Sequence, residues 1–171
     1  MDHIDKAVSI RCKGAFDLDI DELIPFQGAL KELSKSDYEK FKRNILELGV
    51  SFAKHVWKNP ENGQWCIIDG HQTKRTLFTM RSEGYFIPPI PCVEVQADSF
   101  EQAKKKVLAG VSQYGEVTDD GLYEFMNVAN IDVSFLNDLR FPEIDLDKWK
   151  EEFVPEAPGG GLSDEDAIPE L

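Results

Sequence analysis

Cysteine is scarce in this 171-residue chain. Cys12, Cys66 and Cys92 are too few and too scattered for a disulfide framework or a zinc site. They read as free thiols in a reducing, cytoplasmic setting. No apolar run approaches the roughly 20 residues of a membrane span, so no membrane partner is expected. The start, MDHIDKAVSI, lacks the basic lead and apolar core of a signal peptide. Histidine is sparse as well. His3, His55 and His71 share no metal-ligand spacing, so no protein-held metal is expected. No cysteine is spaced to suggest a Cys–His pair, no Gly-x-Ser-x-Gly elbow is present, and no internal repeat is found.

Basic residues are also in deficit, 19 against 32 acids, for a net charge of −13. Taken whole, that charge argues against broad coating of nucleic acid. Its distribution alters the reading. Residues 1–115 hold sixteen acids and sixteen bases. Residues 116–171 hold sixteen acids and only Arg140, Lys148 and Lys150. The chain thus divides into a charge-balanced α/β body at 1–115, an acidic helical extension at 116–153, and a Pro/Gly-rich acidic linker or tail at 154–171. Hydrophobic residues at 42% and aromatics at 11% supply a core that needs no disulfide or metal.

Alternation predicts a hairpin between Val8–Cys12 and Phe16–Ile20, turning at Lys13-Gly14. The acids Asp17, Asp19, Asp21 and Glu22 lack the spacing of a calcium loop and read as a solvated strand face. Ile24-Pro25-Phe26-Gln27-Gly28 reads as a loop. Ser36 to Glu39 reads as a capping box for a helix to Leu48, stopped by Gly49, with Tyr38, Phe41, Ile45 and Leu48 as its stripe. His55–Trp57 and Trp65–Ile68 flank Asn59–Gly63 as a second hairpin. A helix from Gly70 to about Gly84 follows, then a strand at Cys92–Gln96 with Val93 and Val95 on one face. A Ser99–Gln102 capping box opens the next helix. Ala103, Val107 and Leu108 face inward there, and Lys104, Lys105 and Lys106 mostly outward. Thr118–Asn130 reads as a helix with Leu122, Phe125 and Met126 inward. Asp145 caps a last helix carrying Leu146, Trp149 and Phe153 on one face.

The segment Ile67-Ile68-Asp69-Gly70-His71-Gln72-Thr73-Lys74-Arg75 carries the chemistry. A buried strand ends, a glycine turns the backbone, and a helix begins. Such an end offers unpaired amides and partial positive charge to an anion. Lys74 and Arg75 oppose the dipole there, which is unfavourable unless an anion compensates. A phosphate pocket of Gly70, His71, Lys74 and Arg75 is one reading. A helix start capped by Asp69, with solvated bases, is the plainer one. His71 could be a base, a phosphate donor or a packed residue. Gln27 and Ser112-Gln113-Tyr114 are polar loop residues beside structured segments.

The order LIPFQGALKEL, SKSDYEKFKRNILELGV, WCIIDGHQTKR, SFEQAKKKVLAGVSQYGEVTDDGLYEF resembles the ParB-like domain. It is most similar to the variant found in phages and at the N-terminus of bacterial and phage DNA methyltransferases. The resemblance spans roughly residues 16–153, and LSDEDAIPEL is similar to the acidic linker before the methylase. The methylase itself has no counterpart here: there is no Asp-Pro-Pro-Tyr-type tetrapeptide and no glycine-rich cofactor loop. The resemblance implies the small mixed α/β (α+β) fold shared by ParB and sulfiredoxin, a mixed sheet with flanking helices, plus C-terminal helices. It implies a nucleotide's phosphates at Gly70, His71, Gln72, Thr73, Lys74 and Arg75, with Gln27 flanking the nucleotide. Ser112 and Gln113 fall where relatives carry Glu-Asn, used with a metal ion on the nucleotide. The implied ligand is a nucleoside triphosphate with Mg²⁺, and S-adenosylmethionine would belong only to an attached methyltransferase. The implied partners are that methyltransferase, on the same or a separate chain, and DNA.

Three departures accompany the resemblance. Thr73 stands where close relatives have Arg, and Arg75 points about 200° away on a helix. No residue of Asp69 to Arg75 is the cysteine of sulfiredoxin, which excludes that activity. Ser112 lacks a metal-ligand charge. The expected role is therefore an accessory nucleotide- or DNA-phosphate-binding module in DNA modification. The rivals are a nucleotide-dependent kinase or nuclease with His71 and Asp69 as acid–base pair, and an acidic interaction protein.

Overall fold

The computed structural model describes residues 6–11, 14–28, 31–111 and 115–154. The chain forms two compact units. Met1–Glu116 and Asn137–Arg140 make the first; Val117–Leu136 and Phe141–Leu171 make the second. Of the expected linker, residues 155–171 lie outside the described residues.

The first unit is built on a five-stranded mixed sheet. Its strands are β1 (Phe16–Leu18), β2 (Leu23–Ile24), β3 (Lys54–Lys58), β4 (Trp65–Asp69) and β5 (Ile90–Glu94), in the spatial order β1-β5-β3-β4-β2. The β1–β5 and β3–β4 pairs are antiparallel; β3–β5 and β2–β4 are parallel. Helices α1 (Lys35–Leu48), α2 (His71–Ser82) and α3 (Phe100–Val111) belong to the same unit.

The run Trp-Cys-Ile-Ile of β4 is continuous because both its faces are covered. Ile67 and Val56 pack with Ile45 of α1 and Leu77 and Met80 of α2. Cys66, Ile68 and Trp57 pack with Phe26 and with Ala103 and Val107 of α3. Burying each large aliphatic contributes about 1.5–3 kcal/mol. The sheet therefore sits between α1 and α2 on one side and α3 on the other, and α2 starts directly beyond the end of β4.

The β3–β4 hairpin and the helix after Gly70 form as the sequence predicts. The first expected hairpin does not. β1 pairs with β5, Phe16 opposite Cys92, while Ala7 and Ile10 bridge singly to Phe86 and Val50. Alternation set which side chains are buried, Leu18 and Ile20, but carried no information on the partner strand.

α1 starts earlier than expected. Ser34, not Ser36, is its cap, with Oγ accepting from the Asp37 amide at 3.0 Å. This placement puts the Asp37 carboxylate in the first turn, where the helix dipole favours it, and there it also accepts from Arg140 at 2.5 Å. Leu48 is exposed, and Gly49 ends the helix at φ 73°. β5 begins at Ile90, and pairing with β1 turns Ile90 and Cys92 inward, leaving Val93 partly exposed. At the start of α3, Ser99 Oγ accepts from the Gln102 amide as the capping box requires, while Gln102 Oε1 reaches back to the Asp98 amide, one residue before the cap. Leu108 is exposed rather than inward.

The second unit contains α4 (Asp119–Ala129), most of a 3₁₀ helix (Val133–Asp138) and α5 (Leu146–Phe153). Leu122 and Met126 are buried, whereas Phe125, expected inward, is 67% exposed. Asp145 caps α5 as expected. The Trp149 indole N–H donates to the Asp119 carbonyl at 3.0 Å, and the Tyr123 and Phe153 rings lie 5.3 Å apart. No helix among the described residues is long and apolar enough to cross a membrane.

Candidate anion-binding site

Gly70 joins β4 to α2 at φ 110° and ψ 17°, a conformation that L side chains rarely adopt. It is the N-cap of α2, so no side chain caps this helix, and its first turn holds no acid. Asp69 does not cap it either: its carboxylate is 72% exposed and lies 3.8 Å from His55 Nδ1 on β3. The first helical bond runs from the Lys74 amide to the Gly70 carbonyl at 3.0 Å. The amides of the preceding turn are left facing out of the helix end with its partial positive charge.

A cavity of ≈ 260 Å³ opens at this point, lined by Pro25, Gln27, Gly28, His71, Lys74 and Arg75. Four residues expected from the sequence thus come together: Gln27, His71, Lys74 and Arg75. Thr73 does not join them. It is buried on another side of α2 and lines a separate cavity with Gly49, Phe52 and Lys54. Arg75, about 200° round the helix from it, faces the cavity. Gln72 is half-buried, and its Oε1 has no hydrogen-bond partner among the described residues. Ser112 and Gln113 lie outside the described residues.

His71 is buried at the cavity floor. Its Nε2 accepts from the Phe26 amide at 3.2 Å. Burial pushes its pKa down to about 4; Asp69 opposes this, while Arg75 and Lys104 reinforce it. The imidazole is therefore neutral at pH 7, with the proton on Nδ1 and the Nε2 lone pair already committed. That lone pair is the one a general base would need. Here it fixes Phe26 instead.

The bond from His71 is one of three holds on Phe26. Lys104 of α3 donates from Nζ to the Phe26 carbonyl at 2.5 Å and lies 4.0 Å above the Phe26 ring. The ring itself packs against Trp57 and Phe100, with centroids 5.6 and 5.2 Å away. Lys104 was expected to face solvent with Lys105 and Lys106. Lys105 does so, pairing with Glu101 at 2.7 Å. The helix period alone does not show that a carbonyl 78 positions earlier turns Lys104 inward.

Arg75 spans the cavity mouth. Its Nη1 donates to the Lys31 carbonyl at 3.0 Å and its Nη2 to the Gly28 carbonyl at 3.2 Å. Lys74 is half-buried, and its pKa is lowered, chiefly by burial, then against Asp21 and with Arg81. Some cations elsewhere in this unit meet acids, Lys42 with Glu83, Arg43 with Asp138, Arg81 with Asp21 and Arg140 with Asp37, while others, such as Lys40 and Lys58, have no such pair among the described residues. Among the described residues Lys74, Arg75 and Lys104 have no carboxylate within 4.0 Å. Lys74 and Arg75 line the cavity beside an uncapped helix start, with Lys104 held on Phe26 next to it, and this makes the junction a candidate site for an anion. No cluster of three or more His, Cys, Asp or Glu among the described residues could hold a metal.

No protein-family model matches the chain, and no curated protein matches it. Among solved structures it is similar to the C-terminally truncated chromosome-partitioning protein ParB from Caulobacter crescentus, complexed with CTP-γ-S. The TM-score is 0.50 at 15% identity, over 72% of this chain and 68% of that one. The fold is ParB-like. At that identity the likeness speaks for the fold, and the site rests on its own geometry. In this ParB-like fold, the strand–glycine–helix junction read from the sequence is the point where β4, α2, Phe26 and Lys104 of α3 meet.

Proposed function

We propose that this chain is a nucleotide-binding accessory module in DNA modification. Its cleft takes the phosphates of a nucleoside triphosphate at Gly70–Arg75, with Gln27 flanking the nucleotide. One observation carries the reading: Lys74 and Arg75 line the cavity at the uncapped start of α2, and neither has a carboxylate partner among the described residues. The residues fit a polyphosphate. They do not form a metal cage, so Mg²⁺ would be held chiefly by the phosphates it accompanies. CTP is the first probe, because the ParB of similar fold was solved with a CTP analogue.

The link to a DNA methyltransferase rests on the sequence resemblance over residues 16–153 and on the LSDEDAIPEL tail. In this reading nucleotide occupancy is communicated to a methyltransferase on the same or a separate chain, which would itself use S-adenosylmethionine. Turnover by His71 and Asp69 is disfavoured, since His71 is neutral and committed to Phe26 and Asp69 faces His55.

Calorimetry with CTP, the other nucleoside triphosphates and a short DNA duplex tests the site. Wild type binds a nucleoside triphosphate, more weakly at higher salt, and Lys74→Ala weakens it about tenfold. Absence of binding by every nucleotide at millimolar concentration removes the reading. Binding of duplex alone reassigns the cleft to the DNA backbone.

A further inference from the structure

The ≈ 260 Å³ cavity is small for a whole nucleotide, since ligand pockets run from about 300 to 1,000 Å³. A second cavity of ≈ 480 Å³ adjoins it. Pro25, Lys74 and Arg75 line both and so form the wall between them. The larger cavity has an apolar lining, with Leu33 and Tyr38 on one side and Phe78 on the other. Of the three wall residues, Arg75 alone crosses from α2 to the Gly28 and Lys31 carbonyls. Its guanidinium is exposed and meets only neutral acceptors there.

We propose that Arg75 is a ligand-operated bar between the two cavities. With the site empty it is closed on the two carbonyls. A polyphosphate in the smaller cavity offers it ionised oxygens, which form hydrogen bonds roughly twice as strong as neutral ones. The guanidinium transfers to the phosphates, the bar opens, and the joined space admits the rest of the ligand. Phe26 stays fixed, because His71, Lys104 and the Trp57 and Phe100 rings hold it independently of Arg75. The triphosphate end is thereby read first, and a nucleoside without phosphates meets two cavities still divided.

This inference rests on the nucleotide reading, and one set of titrations separates the two. Cytidine and CTP are titrated into the 171-residue wild-type chain and Arg75→Ala, each checked for folding by circular dichroism. Wild type binds CTP and binds cytidine weakly. Arg75→Ala binds CTP at least tenfold more weakly and cytidine at least fivefold more tightly, because the wall is gone. A residue that only grips phosphate would weaken CTP and leave cytidine unchanged. That outcome overturns the bar while the nucleotide reading stands. Wild type that binds no CTP overturns both.

Discussion

At its C-terminal end α2 carries Arg81, a cation that suits the helix dipole, bonded to both carboxylate oxygens of Asp21 at 3.0 and 2.8 Å. At its N-terminal end the same helix carries Lys74 and Arg75 against the dipole, with no cap, no acid in the first turn and no carboxylate partner among the described residues. One end satisfies itself. The other stays unfavourable until something anionic arrives. Stability selects the first arrangement without help; the second is retained where a ligand uses it. A charge count for the helix, or for the whole chain, averages the two ends and conceals the difference.

The largest effect at the N-terminal end is expected on acidification. Folded His71 resists protonation down to about pH 4, whereas the unfolded chain takes up that proton near 6.5. Its contribution is complete above pH 6.5 and is lost as pH falls towards 4, by up to roughly 3 kcal/mol. Urea denaturation at pH 7 and 4.5 measures it. His71→Gln should flatten the dependence, and an unchanged slope in that variant would show that other groups cause it.

A smaller effect is expected at the junction itself. Gly70→Ala forces a side chain into a left-handed backbone conformation and drives its Cβ against Lys54. The Lys54 chain can move aside, but the backbone conformation cannot relax so easily. About 1–2 kcal/mol should be lost, several degrees in Tm by calorimetry. A wild-type Tm would mean that the turn re-forms with another conformation and that the uncapped start is not specified by glycine.

The smallest effect belongs to the other end. Arg81→Leu removes an exposed pair, and exposed pairs contribute little. Anion affinity should change by less than about twofold, whereas Lys74→Ala at the opposite end changes it about tenfold. Equal losses from the two variants would erase the contrast between the ends.

The parts of this site that were legible in the sequence are local ones. The β3–β4 hairpin, the Gly70 turn and the helix behind it are encoded within some thirty residues, and each formed where expected. The pairing of β1 with β5 was not legible, because alternation specifies a face and not a neighbour. The capping box is expected at Ser36, whereas the observed cap is Ser34, whose partner Asp37 also meets Arg140 from 103 positions away. Lys104 was missed for the same reason. Its direction is set by the Phe26 carbonyl and ring, so it reads as one solvated lysine among three. A basic residue four positions from an acid, as Lys105 is from Glu101, signals a solvated pair. Lys106 lacks an acid at that spacing just as Lys104 does, so the sequence does not separate the two.

The order of the sheet also dictates the order in which it can be made. Phe16 finds its partner only at Cys92, some 76 residues later. During synthesis the earliest strand must therefore wait, unpaired, while the β3–β4 hairpin and α2 assemble beyond it. The α2 junction can form from local contacts before the sheet closes, and β1 docks last. A lesion that slows β5 would leave Phe16–Ile20 exposed for longest, so misassembly of this chain should begin at its oldest strand.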